Sequence, residues 1–354
     1  MTLNKLFTPV QIGAHTLRNR LVMAPMTRSR ADEAAAPGEL TQDYYRQRAS
    51  AGLIITEGTF PSSMGKGYVR TPGIVDDAQV TAWRRVTDAV HAQGGLIFMQ
   101  LMHCGRIAHP SMLPGNARPV APSAVKAEGT AWTDSGPQAL VEPRALTGEE
   151  VAQVVAEYAA ATRQALAAGF DGVELHAASG YLPEQFLSSK TNLRADAYGG
   201  SVLNRTRFVV ETLTAMVAVA GAGKVGIKIS PEMNFNDIAD ADPVETYTSL
   251  VRQLDGLPLA YLHVALFHAA TDYHSLLRPL FNGAYLVGAG LTRDSAELLL
   301  DKGQADAVVF GSLFLANPDL PKRLRLHASL NVADRDTFYS TGAQGYTDYP
   351  ALLD

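Results

Sequence analysis

The sequence predicts a (β/α)8 barrel, and three observations carry the prediction. Eight short runs rich in apolar and β-branched residues recur along the 354 residues. Helical patterns separate most of these runs. The first run ends in Ala24-Pro25-Met26-Thr27-Arg28, with none of the GxGxxG turn by which a doubly wound open sheet announces itself.

Taken in order, the predicted strands are Arg20–Met26 (RLVMAPM), Leu53–Phe60 (LIITEGTF), Leu96–Met102 (LIFMQLM) and Gly172–Ala177 (GVELHA). Lys224–Ser230 (KVGIKIS), Tyr261–Leu266 (YLHVAL), Ala284–Gly290 (AYLVGAG) and Ala307–Leu313 (AVVFGSL) complete the eight. Predicted helices cover Gln79–His91, Gly148–Ala168, Asn204–Val219, Pro243–Leu254 and Arg293–Asp301. Thr147 and Glu150 have the spacing of a capping box. Asn317 and Pro318 read as the N-cap and first residue of a last helix. Thr8–Leu17 reads as a small hairpin plugging the barrel from below. The Pro/Gly-rich, helix-poor stretch His103–Leu146 is long enough to have a function, over the mouth. GFDGVEL and GQADAVVFG are weakly alike, a hint of half-barrel repetition. No linker is visible, so residues 1–354 read as one domain.

Hydrophobic residues make up 47%, enough for a large core. A net charge of −5 with mixed signs points away from nucleic acid and from anionic membrane surfaces. No apolar run approaches the length of a membrane span. The single cysteine, Cys104, allows no internal disulfide, and the start MTLNKLFTPV has no signal-type apolar core. The expectation is a cytoplasmic enzyme acting on a small molecule. Neither a heptad nor a large apolar patch chooses between a monomer and a homodimer.

Chemistry in this fold lies at the C-terminal strand ends. Those ends carry Pro25, Met26, Thr27 and Arg28; Glu57, Gly58 and Thr59; Gln100 and His103; and His176, Ser179 and Tyr181. Lys228 and Ser230, His263, Gly288 and Gly290, and Gly311 and Ser312 follow. Glycines after strands seven and eight suit a phosphate, which needs close approach to backbone N–H groups. The residues therefore describe a barrel for a phosphorylated ligand whose head lies over strands one to five. Plainer readings stand beside this one: a tight turn at Gly288 and Gly290, a barrel-filling Gln100, a satisfied interior His263, an incidental buried Cys104. A metal-dependent hydrolase would need ligands that are missing, since strand one has no HxH pair and no carboxylate completes a set.

The segments "LRNRLVMAPMTRSRA", "YYRQRASAGLIITEGT", "GFDGVELHAASGYLPEQFLSS", "NLRADAYGGSVLNRTRF", "FLANPDLPKRL" and "GAQGYTDYP" resemble the Old Yellow Enzyme family, in particular its bacterial ene-reductases. The resemblance spans essentially the whole chain. It implies a (β/α)8 barrel with non-covalent FMN, reduced by NAD(P)H, that passes a hydride to the β-carbon of an activated alkene such as an enone, maleimide or nitroalkene. By position, Pro25, Met26 and Thr27 would line the flavin ring and Gly58 would let it lie close to the backbone. Gln100 would bond its pyrimidine edge, and Lys228 would face the N1/O2 region. Gly290, Gly311 and Ser312 would hold the phosphate. His176 with Ser179 would grip the substrate oxygen, as an oxyanion hole does, and Tyr181 would protonate the α-carbon. Met102 and Tyr339 would line the substrate pocket.

Three contact positions depart from the family pattern. Ser179 stands for asparagine or histidine, Lys228 for arginine, and Ser312 for an arginine at the phosphate. Met102 also replaces a gatekeeping tryptophan. Two functions follow from this. One is an ene-reductase with compensated contacts. The other is a diverged member with weak or no FMN binding that isomerises or cyclises its substrate in the same pocket.

Overall fold

The computed structural model describes residues 4–353. Strands β1 (Val10–Ile12) and β2 (His15–Leu17) form an antiparallel hairpin. Its Ile12 and Leu17 join Val22, Leu53, Phe98 and Tyr261 in a buried cluster at the N-terminal ends of the barrel strands, so the hairpin plugs the barrel as predicted. β3 (Leu21–Met23), helix α1 (Glu39–Gln47), β4 (Leu53–Ile55), α2 (Asp77–His91) and β5 (Ile97–Leu101) follow.

The stretch after β5 is not structureless. It holds four short strands: β6 (Val120–Ala121), β7 (Thr130–Thr133), β8 (Gly136–Ala139) and β9 (Arg144–Ala145). β7 and β8 make a hairpin, and β6 pairs with β9. Ile107, Ala131 and Leu140 from this cover pack with Met102 and Tyr181, which sets it beside the mouth.

The chain continues with α3 (Gly148–Ala167), β10 (Gly172–Ala177), α4 (Leu182–Leu187), α5 (Val202–Ala220), β11 (Val225–Ile229), α6 (Pro243–Leu254) and β12 (Tyr261–Ala265). α7 (Tyr273–Leu277), β13 (Ala284–Gly288), α8 (Arg293–Asp301), β14 (Ala307–Phe310), α9 (Ser312–Ala316) and α10 (Leu320–Leu326) complete it. β3, β4, β5 and β10 to β14 close a parallel barrel, with β14 returning to β3. Thr147 and Glu150 form the predicted capping box at α3. Asp76, Ser201 and Asp242 cap α2, α5 and α6 by accepting backbone N–H groups. Among the described residues no helix is long and apolar enough to cross a membrane.

The structure corrects several predicted boundaries. β3 ends at Met23, two residues before Pro25, which has no N–H for a ladder. β4 stops at Ile55 rather than Phe60, and β14 at Phe310 because Ser312 and Leu313 already belong to α9. Asn317 is not an N-cap. It follows α9, and its amide binds Leu313 O at 2.9 Å and accepts from Asn331 N at 2.7 Å. The last helix instead starts after Asp319, whose carboxylate holds Arg323 Nε at 2.7 Å.

Candidate functional site

Side chains of a strand alternate between faces, so Glu174 and His176 of β10 share one. His176 is in register with Lys228 of β11, and Lys228 with His263 of β12. One layer below, Glu174 is in register with Gln100 of β5. The fully buried Glu174 carboxylate accepts from Gln100 Nε2 at 2.7 Å and pairs with His263 Nδ1 at 3.0 Å. His263 is therefore the satisfied interior histidine that the sequence allows. Glu174 also fixes the Gln100 amide, leaving its carbonyl oxygen and second N–H for the cavity above.

Lys228 has no hydrogen bond or ion pair among the described residues. Burial lowers its pKa, and Glu174 opposes that shift. Burial also holds the His176 imidazole well below its usual range, helped by Lys228 and His263, so His176 is neutral. Its Nδ1 is buried without a partner. Nε2 is then the nitrogen left to meet a ligand.

Tyr181 caps α4, and its ring meets His176 edge-on, with centroids 4.8 Å apart. The turn before it is pinned: Gly180 N donates to Glu184 Oε2 at 2.6 Å, and Tyr247 O–H to Glu184 Oε1 at 2.6 Å. The Tyr181 hydroxyl lies 2.9 Å from that of Tyr68. Burial first, then Tyr68 and Cys104, push the Tyr181 phenol well above its usual pKa, so it is a protonated donor at neutral pH.

Ser179 sits in the left-handed region at φ 60°, a conformation that asparagine adopts more easily than serine. Its N–H donates to Ser230 Oγ at 2.9 Å, and its hydroxyl donates to Met233 Sδ at 3.6 Å. Ser179 thus faces the cavity beside His176, with its donor turned onto a soft sulfur acceptor.

Two cavities meet here. One, of about 290 Å³, is lined by Thr27, Gly58, Gln100, Met102, His176, Ser179, Tyr181 and Tyr339. The other, of about 270 Å³, is lined by Gly290 and Gly311. Pro25, Met26, Lys228 and Ser312 line both. Every residue to which the resemblance assigns a flavin or substrate contact therefore lines one or both cavities, whereas the strand-end residues Glu57, Thr59, His103 and Ser230 line neither. A larger cavity of about 500 Å³ lies behind the loop 232–240, but it holds none of them. Gly58 has a nearer neighbour than expected, since a Cβ there would fall 2.5 Å from the Met102 sulfur.

Sequence reasoning missed three contributors and named a fourth, Arg28, without its role. Glu174 stands two residues before His176, so strand alternation could have found it. Tyr68 and Asn236 come from loops with no periodic signal. Arg28, fully buried, donates to Phe338 O at 3.2 Å and Gly345 O at 2.7 Å, which ties the segment carrying Tyr339 to the first strand end.

The donor set fits a flavin phosphate. An unpartnered ammonium lies where the two cavities join. In the second cavity, Ala289 and Gly290 have positive φ, and a Cβ on Gly290 would meet open space. The first N–H groups of α9 have no intrahelical acceptor and open there too. Gln100 adds an amide edge over the barrel. Fold and site together define a (β/α)8 barrel whose mouth joins a glycine-lined cavity, fit for a phosphate, to a polar pocket with His176 and Tyr181 on its rim.

The comparisons agree. The profile of the NADH:flavin oxidoreductase / NADH oxidase family matches residues 5–331. A morphinone reductase structure, solved in complex with tetrahydroNAD, superposes with a TM-score of 0.95 at 45% identity, covering 99% of this chain and 98% of that one. The Old Yellow Enzyme homologue from Zymomonas mobilis gives 0.96 at 40% identity over 98% and 100%. A probable flavin mononucleotide-dependent alkene reductase of Leishmania infantum is 42% identical over 99% of this chain and 98% of its own length. The 12-oxophytodienoate reductase 1 of Oryza sativa subsp. japonica is 41% identical over 98% and 93%. The chain belongs to the NADH:flavin oxidoreductase family of Old Yellow Enzyme proteins, and it is an NAD(P)H-dependent flavin oxidoreductase of the alkene-reductase type.

Proposed function

We propose that this protein binds FMN across the two joined cavities and reduces the C=C bond of an activated alkene (an enone, maleimide or nitroalkene) at the expense of NAD(P)H. The observation that carries the reading is the edge-on pairing of His176 with Tyr181, ring centroids 4.8 Å apart, on the rim of a cavity shared with Lys228. When bound, FMN supplies the hydride chemistry. Pro25, Met26, Thr27 and Gly58 would flank it, and Gln100 would bond its pyrimidine edge. Lys228 would offset negative charge there, while Gly290, Gly311 and Ser312 would hold the phosphate.

His176 donates a hydrogen bond to the substrate oxygen and so draws charge from the alkene onto that oxygen. Ser179 adds a weaker donor once its hydroxyl leaves Met233. Tyr181 gives its proton to the α-carbon. Buried Met102 would wall the substrate on one side, and the exposed Tyr339 would stand at the rim of the pocket. The single test is the visible spectrum after FMN loading and desalting, followed by alkene-dependent NAD(P)H oxidation. A retained stoichiometric flavin with enone turnover supports the reading. A protein that does not keep FMN would overturn it in favour of redox-neutral chemistry in the same pocket.

A further inference from the structure

The contact of the Ser179 hydroxyl with Met233 Sδ, at 3.6 Å, joins side chains that belong to different cavities. Ser179 lines the cavity of about 290 Å³ that holds His176 and Tyr181, and Met233 lines the cavity of about 500 Å³ behind the loop 232–240. The loop itself divides the two. Phe235 lines the smaller cavity, whereas Met233 and Asn234 line the larger. Where Ser179 meets Met233, the wall is one serine and one methionine thick.

The backbone of this wall is fixed, and its two side chains are not. Ser179 N donates to Ser230 Oγ at 2.9 Å, Asn236 Nδ2 to Ser179 O at 2.8 Å, and Gly180 N to Glu184 Oε2 at 2.6 Å. The loop is anchored on both sides of Met233. The Glu232 carboxylate accepts from Ala270 N at 2.9 Å and from Thr271 Oγ1 at 2.6 Å. The buried Arg106 donates through Nη2 to Asn236 O at 3.2 Å and Asp237 O at 2.6 Å. Met233 between these anchors is only partly buried and belongs to none of the apolar clusters among the described residues. A methionine has three rotatable bonds, and its sulfur is a weak acceptor, so it loses little by swinging away. That swing opens a passage from one cavity to the other without moving the backbone.

Substrate orientation decides which group would reach the passage. With the carbonyl oxygen on His176 and Ser179 and the α-carbon beside Tyr181, the remaining substituent of the carbonyl carbon is the one directed past Ser179. The β-carbon and its substituents lie on the other side of the α-carbon. We propose that the cavity behind Met233 is a subsite for the acyl side of the substrate, and that the protein acts on unsaturated ketones whose carbonyl carbon carries an extended chain. The proposal rests on the ene-reduction reading above. A cavity of about 500 Å³ falls within the range of small-molecule sites, roughly 300–1,000 Å³. Leu187, Ile238 and Pro243 give it apolar surface on which a chain can lie.

The experiment measures kcat/KM for NAD(P)H-dependent reduction of alkyl vinyl ketones, from ethyl to nonyl, by FMN-loaded wild type, Ala239→Trp and Met233→Phe. A control series of 3-alken-2-ones grows its chain on the β-carbon instead. Ala239 is exposed and lines only the larger of the two cavities, so a tryptophan there fills that cavity from the side away from the chemistry. Retained flavin and its rate of reduction by NAD(P)H report that each variant folds. In wild type, kcat/KM for the vinyl ketones should rise with length, by up to about fourfold per methylene, and the control series should not share the rise. Ala239→Trp should leave ethyl vinyl ketone within about twofold of wild type and lower the nonyl ketone by about tenfold or more. Met233→Phe puts a stiffer plug in the passage and should lower the nonyl-to-ethyl ratio by about tenfold or more, whatever it does to the short ketone. A wild type whose kcat/KM for vinyl ketones fails to rise with length would overturn the subsite. So would variants that keep the wild-type ratio or depress both series in proportion. A wild type that reduces no ketone of either series would sink the ene-reduction reading, and the subsite with it.

Discussion

Replacing Lys228 with methionine should separate two effects that normally mask each other. In the flavin-free protein the ammonium is partly buried with no hydrogen bond or ion pair among the described residues, and burial lowers its pKa. A lysine with a depressed folded pKa binds fewer protons folded than unfolded, so stability rises with pH below its unfolded value of 10.5 and is lost as pH falls through the folded value. Lys228→Met removes that burden, so the flavin-free variant should melt higher than wild type at neutral pH and show a flatter pH dependence. FMN binding should move the other way. A hydrogen bond from a charged donor contributes about 1.5–3 kcal/mol, so losing it should weaken FMN by about 10- to 100-fold. The assays are a flavin-fluorescence titration and thermal melts with and without FMN. Unchanged FMN affinity would show that the amine does not touch the cofactor. A lower melting temperature without flavin would show that the ammonium is not the liability the structure implies.

Other perturbations test the rest of the site. Tyr181→Phe should leave flavin reduction by NAD(P)H near the wild-type rate and slow enone reduction about 100-fold; equal slowing of both half-reactions would remove its role as acid. Ser179→Asn should relieve a left-handed serine, release the contact with Met233 Sδ and return a longer donor to the pocket, lowering KM for enones in steady-state assays. An unchanged KM would mean that His176 alone carries the oxygen. Burial pushes Glu57 and Glu184 from 4.5 up to about 7. The stability they contribute is fully present below pH 4.5 and lost as pH rises through about 7. Glu184→Gln should therefore melt with a shallower decline than wild type between about pH 6 and 8, and parallel curves would refute the assignment.

The barrel was legible because buried parallel strands must be short, apolar and β-branched, and β10 and α6 match their predicted limits to the residue. Strand ends at the mouth were not, since Pro25 and the turn into α9 break ladders by tertiary geometry that no local pattern records. Asn317 shows the same failure. Its composition signals a cap, but a loop fourteen residues on takes its amide instead. Within the site, the residues facing the cavities were readable from strand ends and motif spacing. Their supporting partners were harder to see. Glu174 was hidden in an apolar strand, and Tyr68 and Asn236 lie in loops whose approach to Tyr181 depends on the closed barrel. The orientation of the Ser179 hydroxyl toward Met233 could come only from coordinates.

The arginine tie between Arg28 and the segment around Phe338 joins residues 310 positions apart. Contacts of such separation form late, because the intervening chain must be ordered before the loop can close. During synthesis the cradle at Gly290 and Gly311 emerges before Phe338 and Tyr339. A nascent chain can thus order the turns at Gly290 and Gly311 before the segment that walls the neighbouring cavity docks. The order of translation leaves that cavity open until the last-folding piece of the chain arrives.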